Sequence, residues 1–380
     1  MSRIFSDACA SVSDPHLRRA CELAERGRGT TSPNPVVGCV LVRDGVVVGE
    51  GWHERAGGPH AEAAALAAAG AAARGAVAYV TLEPCAHEGR TPPCAAALVE
   101  SGVRRVVIGM PDPHPLARGG AGVLRDAGLE VEFAADAAPF EEQLREWLHF
   151  TGTGRPFVRV KTALTLDGHP AMVHGKRARI SGAESGRLTM RLRAAADAVL
   201  VGVATAGVDD PSLTVRAEDG TPARRQPVRV LLAGTEQPHA ALRMLHDGAG
   251  RVVLLAHGDI APDPALAALV DVVPFPAGEG LGGALAALGA LGIVSLLVEA
   301  GPRLFAALYD ETLIDELVLV HGGGVAGAGA PPLYAGTPAA AGKDLVAPLC
   351  AVEAGCVGRD AVTVWRPRAE GTCPPGTDGS

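Results

Sequence analysis

The chain has 380 residues, 48% of them hydrophobic and 3% aromatic, with a formal net charge of −8 and a pI near 5.8. That length suggests two domains with cores of Val, Leu and Ala, and an acidic balance without a basic run argues against a nucleic-acid footprint. The first residues lack an apolar core segment, so no secretory signal is expected, and the eight scattered Cys are expected as reduced thiols of a cytoplasmic protein.

Asp14-Pro15 predicts a helix start, an N-cap followed by proline at the first helical position. Leu17, Ala20, Cys21 and Ala24 form its apolar face, with Cys21 as packing, and Gly27 ends it. Residues 36–43 and 46–52 read as strands joined by a hairpin turn at Asp44-Gly45, with Cys39 buried in the first. An alanine-rich helix is expected over 61–73, ended by Gly75, then a short buried strand over 76–82. Cys94 opens the next helix behind Pro92-Pro93. Strands at 103–108 and 129–133 flank a helix at 118–127, the alternation of a layered α/β domain. A helix over 139–150 leads into Thr151-Gly152-Thr153-Gly154-Arg155-Pro156, where clustered turn formers mark an interdomain linker.

The second half restarts with a strand at 157–164, a turn at Asp167-Gly168, a helix at 185–196 and a strand at 198–203. Further strands are expected at 228–232, 252–256, 293–298, 316–320 and 361–364. The charge-free stretch 280–298 is interrupted by five glycines, so it reads as a surface helix and a buried strand, not a membrane span. Gly322-Gly323-Gly324-Val325-Ala326-Gly327 has the spacing of a dinucleotide-binding loop. Pro331-Pro332 stands where the required helix would follow, so it is read as a glycine-rich loop. The expected domains are 1–150 and 157–366, followed by a Pro- and Gly-rich tail, 367–380, expected to be disordered. Cys9, Cys350, Cys356 and Cys373 are read as incidental.

Chemistry concentrates at Pro59-His60-Ala61-Glu62 and at Cys85 and Cys94. One His and two Cys make a three-ligand zinc site with an open fourth position, the mark of a catalytic zinc. Zinc acidifies water, and Glu62 is placed to carry protons between that water and a leaving ammonia. Residues two apart do not share a face mid-helix, but in the first turn both side chains overhang the end and converge. A thiol at a helix N-terminus ionises more easily, which suits Cys94. His-x-Glu followed by Pro-Cys-x-x-Cys is the signature of zinc nucleobase deaminases. Here eight residues, not two, separate the cysteines.

With those residues in view, the chain resembles the bifunctional riboflavin-biosynthesis deaminase/reductases of bacteria, from about Asp14 to Trp365. Thr31-Ser32-Pro33-Asn34-Pro35-Val36-Val37-Gly38, Gly51-Trp52-His53-Glu54-Arg55-Ala56-Gly57, His60-Ala61-Glu62 and the 84–94 stretch all match the family pattern, long cysteine spacing included. The resemblance implies a cytidine-deaminase-like three-layer α/β/α domain followed by a dihydrofolate-reductase-like α/β domain. It implies Zn2+ on His60, Cys85 and Cys94, with Glu62 as proton shuttle and Asn34, His53 and His87 near a diaminopyrimidinone ribosylamine phosphate. In the second half, 161–168, Arg193, 202–216 and 298–304 match the reductase pattern. They imply NADPH at Ala163, Thr205, Asp209 and Gly301, and substrate at Arg193, Leu213, Arg216 and Glu299. Arg193 and Arg216 are candidate phosphate donors. Lys161 and Asp209 are candidate acids for the hydride step.

Two departures stand out. Arg177 and Arg179 replace the usual Ser-x-Trp, and His321 with the glycine run replaces an Ala-Pro-Lys-Leu-Leu-Gly stretch. They leave an alternative, a deaminase whose second domain is degenerate or repurposed. The expected partners are a small pyrimidine ribotide and further copies of the chain, with neither nucleic acid nor membrane.

Overall fold

Asp14 caps the first helix, α1 (Pro15–Glu25): its carboxylate accepts from the backbone N–H groups of His16 at 2.8 Å and Leu17 at 3.0 Å. The computed structural model describes residues 4, 7–87, 93–170, 180–234, 236–258, 263–276, 278–335 and 349–367. The chain divides into two compact units, Met1–Thr153 and Gly154–Ser380. Arg177, Arg179, Cys373 and the tail beyond 367 lie outside the described residues.

In the first unit, β1 (Gly38–Arg43) and β2 (Val46–Trp52) form the expected hairpin, with Asp44 at φ 51 and Gly45 at φ 77. Then come α2 (Ala61–Ala69), β3 (Val77–Leu82), α3 (Cys94–Ser101), β4 (Arg105–Met110), α4 (Gly120–Asp126), β5 (Glu130–Phe133) and α5 (Ala138–Thr153). The sheet order is β2-β1-β3-β4-β5; β1 runs antiparallel to both neighbours and β3, β4 and β5 are parallel. Side-chain alternation on β1 sorts the layers. Cys39 and Leu41 pack with Ala61, Ala65, Leu98 and Leu124 of α2, α3 and α4, while Val40 and Val42 pack with Ala20 and Leu23 of α1.

α2 lies directly on β2. Gly49 and Gly51 share one face of that strand, and a Cβ on Gly51 would stand 2.8 Å from Ala64 Cβ and closer still to the backbone of Ala61 and Ala65. Alanine on the helix and glycine on the strand are therefore one device for close approach.

Two expectations are corrected here. Residues 151–153 are not linker but the last turn of α5, where the Thr153 hydroxyl donates to the His149 carbonyl at 2.8 Å and Gly154, at φ 72, ends the helix. Cys9 and Cys21, read as incidental and as packing, are joined in a disulfide with Cα atoms 5.5 Å apart. A short 3-10 turn, Ala8–Ser11, brings Cys9 to α1, and sequence spacing carries no sign of that.

The second unit contains β6 (Phe157–Leu164), α6 (Ala183–Ala195), β7 (Ala198–Gly202), α7 (Val203–Asp209), β8 (Val228–Ala233), β9 (Val252–His257), α8 (Pro264–Ala267) and β10 (Asp271–Phe275). It continues with α9 (Gly280–Ala290), β11 (Ser295–Val298), α10 (Pro302–Asp310), β12 (Glu316–His321), β13 (Leu349–Val357) and β14 (Asp360–Pro367). Its strand order is β10-β9-β8-β7-β11-β6-β12-β14-β13; all neighbours are parallel except that β14 runs antiparallel to both β12 and β13. Val158, Leu200, Leu255 and Val298 meet Leu285 and Leu288 of α9 and Phe305 and Leu308 of α10 in its core. The 280–298 stretch is a helix and a strand, as expected, and among the described residues no helix is long and apolar enough to cross a membrane. Among the described residues no helix follows the 322–327 glycine loop.

Candidate active sites

In the first unit, His60 is the N-cap of α2, and its side chain makes no capping bond. Its Nδ1 instead lies 3.2 Å from Cys94 Sγ and 3.7 Å from Cys85 Sγ. Cys94 is the first residue of α3, and its backbone N–H points at Cys85 Sγ, 3.4 Å away. Among the described residues, these three form the one His/Cys/acid cluster whose ligand atoms all lie within 4.8 Å of one another. Glu62 follows His60 in the first turn of α2 and is 3% exposed. Burial pushes its carboxyl above the ordinary carboxylate range. The hydrogen bond with Cys94 holds the Cys85 thiol down to about 4 against burial, with help from His60. Cys94 is pushed up by the same bond and by burial. One thiolate is thus favoured before any metal is counted, and the thiolate is the metal-binding form.

Asn34 and His53 stand beside this cluster. His53 Nδ1 is 2.9 Å from Pro59 O and Nε2 is 3.3 Å from Asn34 Nδ2. A carbonyl only accepts, so Nδ1 carries the proton and Nε2 accepts from the Asn34 amide. Burial pushes the His53 pKa down, and its ring meets the His60 ring edge-on at 5.5 Å. His87 is exposed, and residues 88–92 after it lie outside the described residues.

In the second unit a cleft of about 1330 Å³ opens at the C-terminal ends of β6, β7, β8 and β11. Open α/β sheets bind ligands at such strand ends. Lys161, Ala163, Arg193, Thr205, Asp209, Leu213, Glu299 and Gly301 all line it. Arg216 does not: it is exposed, with its guanidinium on Thr214 Oγ1 at 3.2 Å and Ser212 Oγ at 3.4 Å. The Arg193 guanidinium grips Glu299 at two points, 2.6 and 2.9 Å, and the Thr214 carbonyl at 2.9 Å. Leu213 is 1% exposed yet sits at φ 52, a left-handed conformation that costs a side-chain-bearing residue about 1–2 kcal/mol. At Gly301, the N-cap of α10, a Cβ would run into Thr205 Oγ1, so only glycine lets the two walls meet.

Comparison with known proteins decides what these two sites belong to. Residues 11–110 match the cytidine and deoxycytidylate deaminase zinc-binding region, and 156–349 match the RibD C-terminal domain. The riboflavin biosynthesis protein RibD of Escherichia coli is 40% identical over 314 residues, covering 80% of this chain and 86% of that protein. That of Haemophilus influenzae is 42% identical over 317 residues, covering 80% and 84%. The chain belongs to the RibD family. The solved structure of Acinetobacter baumannii RibD superposes with a TM-score of 0.84 at 35% identity, covering 93% of this chain and 98% of that one. The Thermotoga maritima diaminohydroxyphosphoribosylaminopyrimidine deaminase/5-amino-6-(5-phosphoribosylamino)uracil reductase superposes at 0.81 with 31% identity, covering 93% and 98%. As a RibD protein, the chain joins a zinc-dependent, cytidine-deaminase-like domain to an NADPH-dependent RibD reductase domain in riboflavin biosynthesis, acting on a small pyrimidine.

One residue of the RibD deaminase half escaped the sequence reading. Glu83, 8% exposed, lies two positions before Cys85, and its carboxylate accepts three backbone N–H groups from residues 112–121. Backbone donors that far along the chain leave no trace in residue type.

Proposed function

We propose that the first unit deaminates the diaminopyrimidinone ribosylamine phosphate at a zinc held by His60 Nδ1, Cys85 Sγ and Cys94 Sγ. The second unit then reduces the ribosyl group of that product to ribityl. The observation that carries this reading is the convergence of three soft donors within 4.8 Å beside a buried glutamate. One imidazole and two thiols suit zinc, and three ligands leave a position open. Bound zinc supplies the Lewis acidity that makes water a nucleophile at neutral pH. Glu62 would hold and relay the proton between the attacking water and the departing amine; a raised carboxyl pKa brings it nearer the working pH for both transfers. His53, kept neutral by burial, and Asn34 orient the pyrimidine, and His87 is assigned to the ribotide phosphate.

In the second unit, NADPH supplies the hydride. Gly301 and the start of α10 offer backbone N–H groups to its phosphates, with Ala163, Thr205 and Asp209 along the same wall. Arg193, held by Glu299, stands with Leu213 on the substrate side, and Arg216 is assigned to an outer phosphate contact. The hydride would go to the ring-opened imine carbon, and Lys161 or Asp209, both on the cleft wall, would supply the proton to its nitrogen. The proposal extends to a cytoplasmic homo-oligomer that binds neither nucleic acid nor membrane, in keeping with the net charge of −8.

The test is a product-resolved assay of the ribosylamine substrate with and without NADPH. Without it the deaminated ribosylamine accumulates; with it the ribityl product forms. Glu62→Gln should lower deamination at least about 100-fold while zinc stays bound. No NADPH oxidation with the deaminated intermediate would sink the second step, and an undiminished Glu62→Gln rate would sink the first.

A further inference from the structure

We infer that Glu83 is a positioning residue for the deaminase centre, acting through Cys85. This rests on the reading of His60, Cys85 and Cys94 as the zinc ligands. Cys85 sits on a segment that has left β3 and has no strand of its own. Backbone bonds from Glu83 N to the Met110 carbonyl at 3.0 Å and from Ala95 N to the Cys85 carbonyl at 3.2 Å hold its two ends, and further contacts tie it to residues 112–121. The Glu83 Oε1 atom accepts from Gly119 N at 3.1 Å and Ala121 N at 2.9 Å, and Oε2 accepts from Asp112 N at 3.1 Å. Ala86 N donates to the Ala117 carbonyl at 3.2 Å. A Cβ on Gly120 would collide with the Pro84 carbonyl, so the two segments are in backbone contact.

A carboxylate suits this junction for a specific reason. All three partners are donors, and an ionised carboxylate is the side chain that only accepts. An amide of the same shape must turn its NH2 toward at least one backbone N–H. Charge-assisted bonds to backbone N–H groups are also about twice as strong as neutral ones. Loss of the carboxylate removes three of the bonds that fix the turn at Pro84, which loosens the placement of Cys85 Sγ. The cost falls on the metal, since supporting residues behind metal ligands are typically worth about 10- to 100-fold in affinity.

The experiment measures zinc affinity by competition against a chromophoric chelator, together with thermal unfolding, in full-length protein. Four variants are compared: Glu83→Gln, Glu83→Asp, Asp14→Ala and Cys85→Ala. Asp14→Ala removes the α1 cap, so it lowers stability away from the metal. The expected result is zinc affinity weaker by about 10- to 100-fold in Glu83→Gln and unchanged in Asp14→Ala at comparable loss of stability. Glu83→Asp, one methylene too short to span both sets of donors, carries the same readout if the amide does not fold. Wild-type affinity in a folded Glu83 variant, with zinc lost from Cys85→Ala, overturns the role of Glu83 alone. Zinc retained at wild-type affinity by Cys85→Ala overturns the ligand set and this inference with it.

Discussion

A single methyl on Gly51 should cost the chain its zinc. The added Cβ would stand 2.8 Å from Ala64 Cβ and nearer still to the Ala61 carbonyl and the Ala65 amide. Carbon–carbon contacts settle at about 3.5–4.0 Å, so α2 must retreat by roughly 1 Å. His60 and Glu62 flank Ala61 and move with it, while Cys85 and Cys94 belong to other elements. Metal–ligand distances tolerate only about 0.2 Å, and a catalytic misplacement of about 1 Å costs on the order of 100-fold in rate. Overpacking of this kind costs about 1–3 kcal/mol of stability, so the control is Gly45→Ala. Gly45 has open space around it but sits at φ 77, so its methyl strains the hairpin without touching α2. Zinc content after dialysis against chelator, deamination rate and thermal unfolding are measured on both. Gly51→Ala should lose zinc and about 100-fold in rate, and Gly45→Ala should keep both. Wild-type zinc retention and turnover in Gly51→Ala would refute the argument.

Two further predictions concern the reductase cleft. Burial pushes the Lys161 ammonium below the ordinary lysine value of 10.5, against the pull of Glu299. The unfolded chain then binds that proton more tightly, so stability climbs as pH rises from the folded value toward the ordinary one. Lys161→Met should raise the unfolding temperature at pH 7 and flatten the climb, while NADPH-dependent turnover falls by about 100-fold; a lowered unfolding temperature would contradict this. Glu299→Gln keeps the shape of the Arg193 pair but removes its charge, so it should cost about 1–3 kcal/mol and raise KM for the deaminated intermediate. Denaturant unfolding and steady-state kinetics check both, and unchanged values would show the pair to be idle.

Much of this was legible in residue order. Asp14-Pro15 and Asp44-Gly45 act within a few residues of themselves, and the structure places a cap and a hairpin turn there. The buried parallel strands announce themselves as short Val/Leu runs. The grouping of His60, Cys85 and Cys94 was legible because His and Cys carry chemistry in their identity, and the structure brings the three within 4.8 Å of one another. What escaped depends on distant backbone or on weak patterns. β13 is intermediate or exposed along its length and its residues, nearly all apolar or small, carry no apolar/polar alternation, and α7 is held by its place after β7 more than by propensity. The reach of α5 through Gly152 depends on a bond between Thr153 and His149. Glu83 and the Cys9–Cys21 pairing depend on which loops fold back, which no local pattern encodes.

The position of β6 has a consequence for how the chain comes off the ribosome. It is the first strand of its unit to be synthesised, yet its two neighbours are β11 and β12: Phe157 pairs with Ser295 and Arg159 with Glu316. Until those late segments emerge, both hydrogen-bonding edges of β6 and the apolar side chains of Val158 and Val160 have no native partner. The deaminase half, whose strand pairings all lie within its own unit, can close long before. Nascent chains should therefore pass through a stage with a finished N-terminal unit and a sticky, unpaired strand behind it, the stage at which a chaperone has most to do.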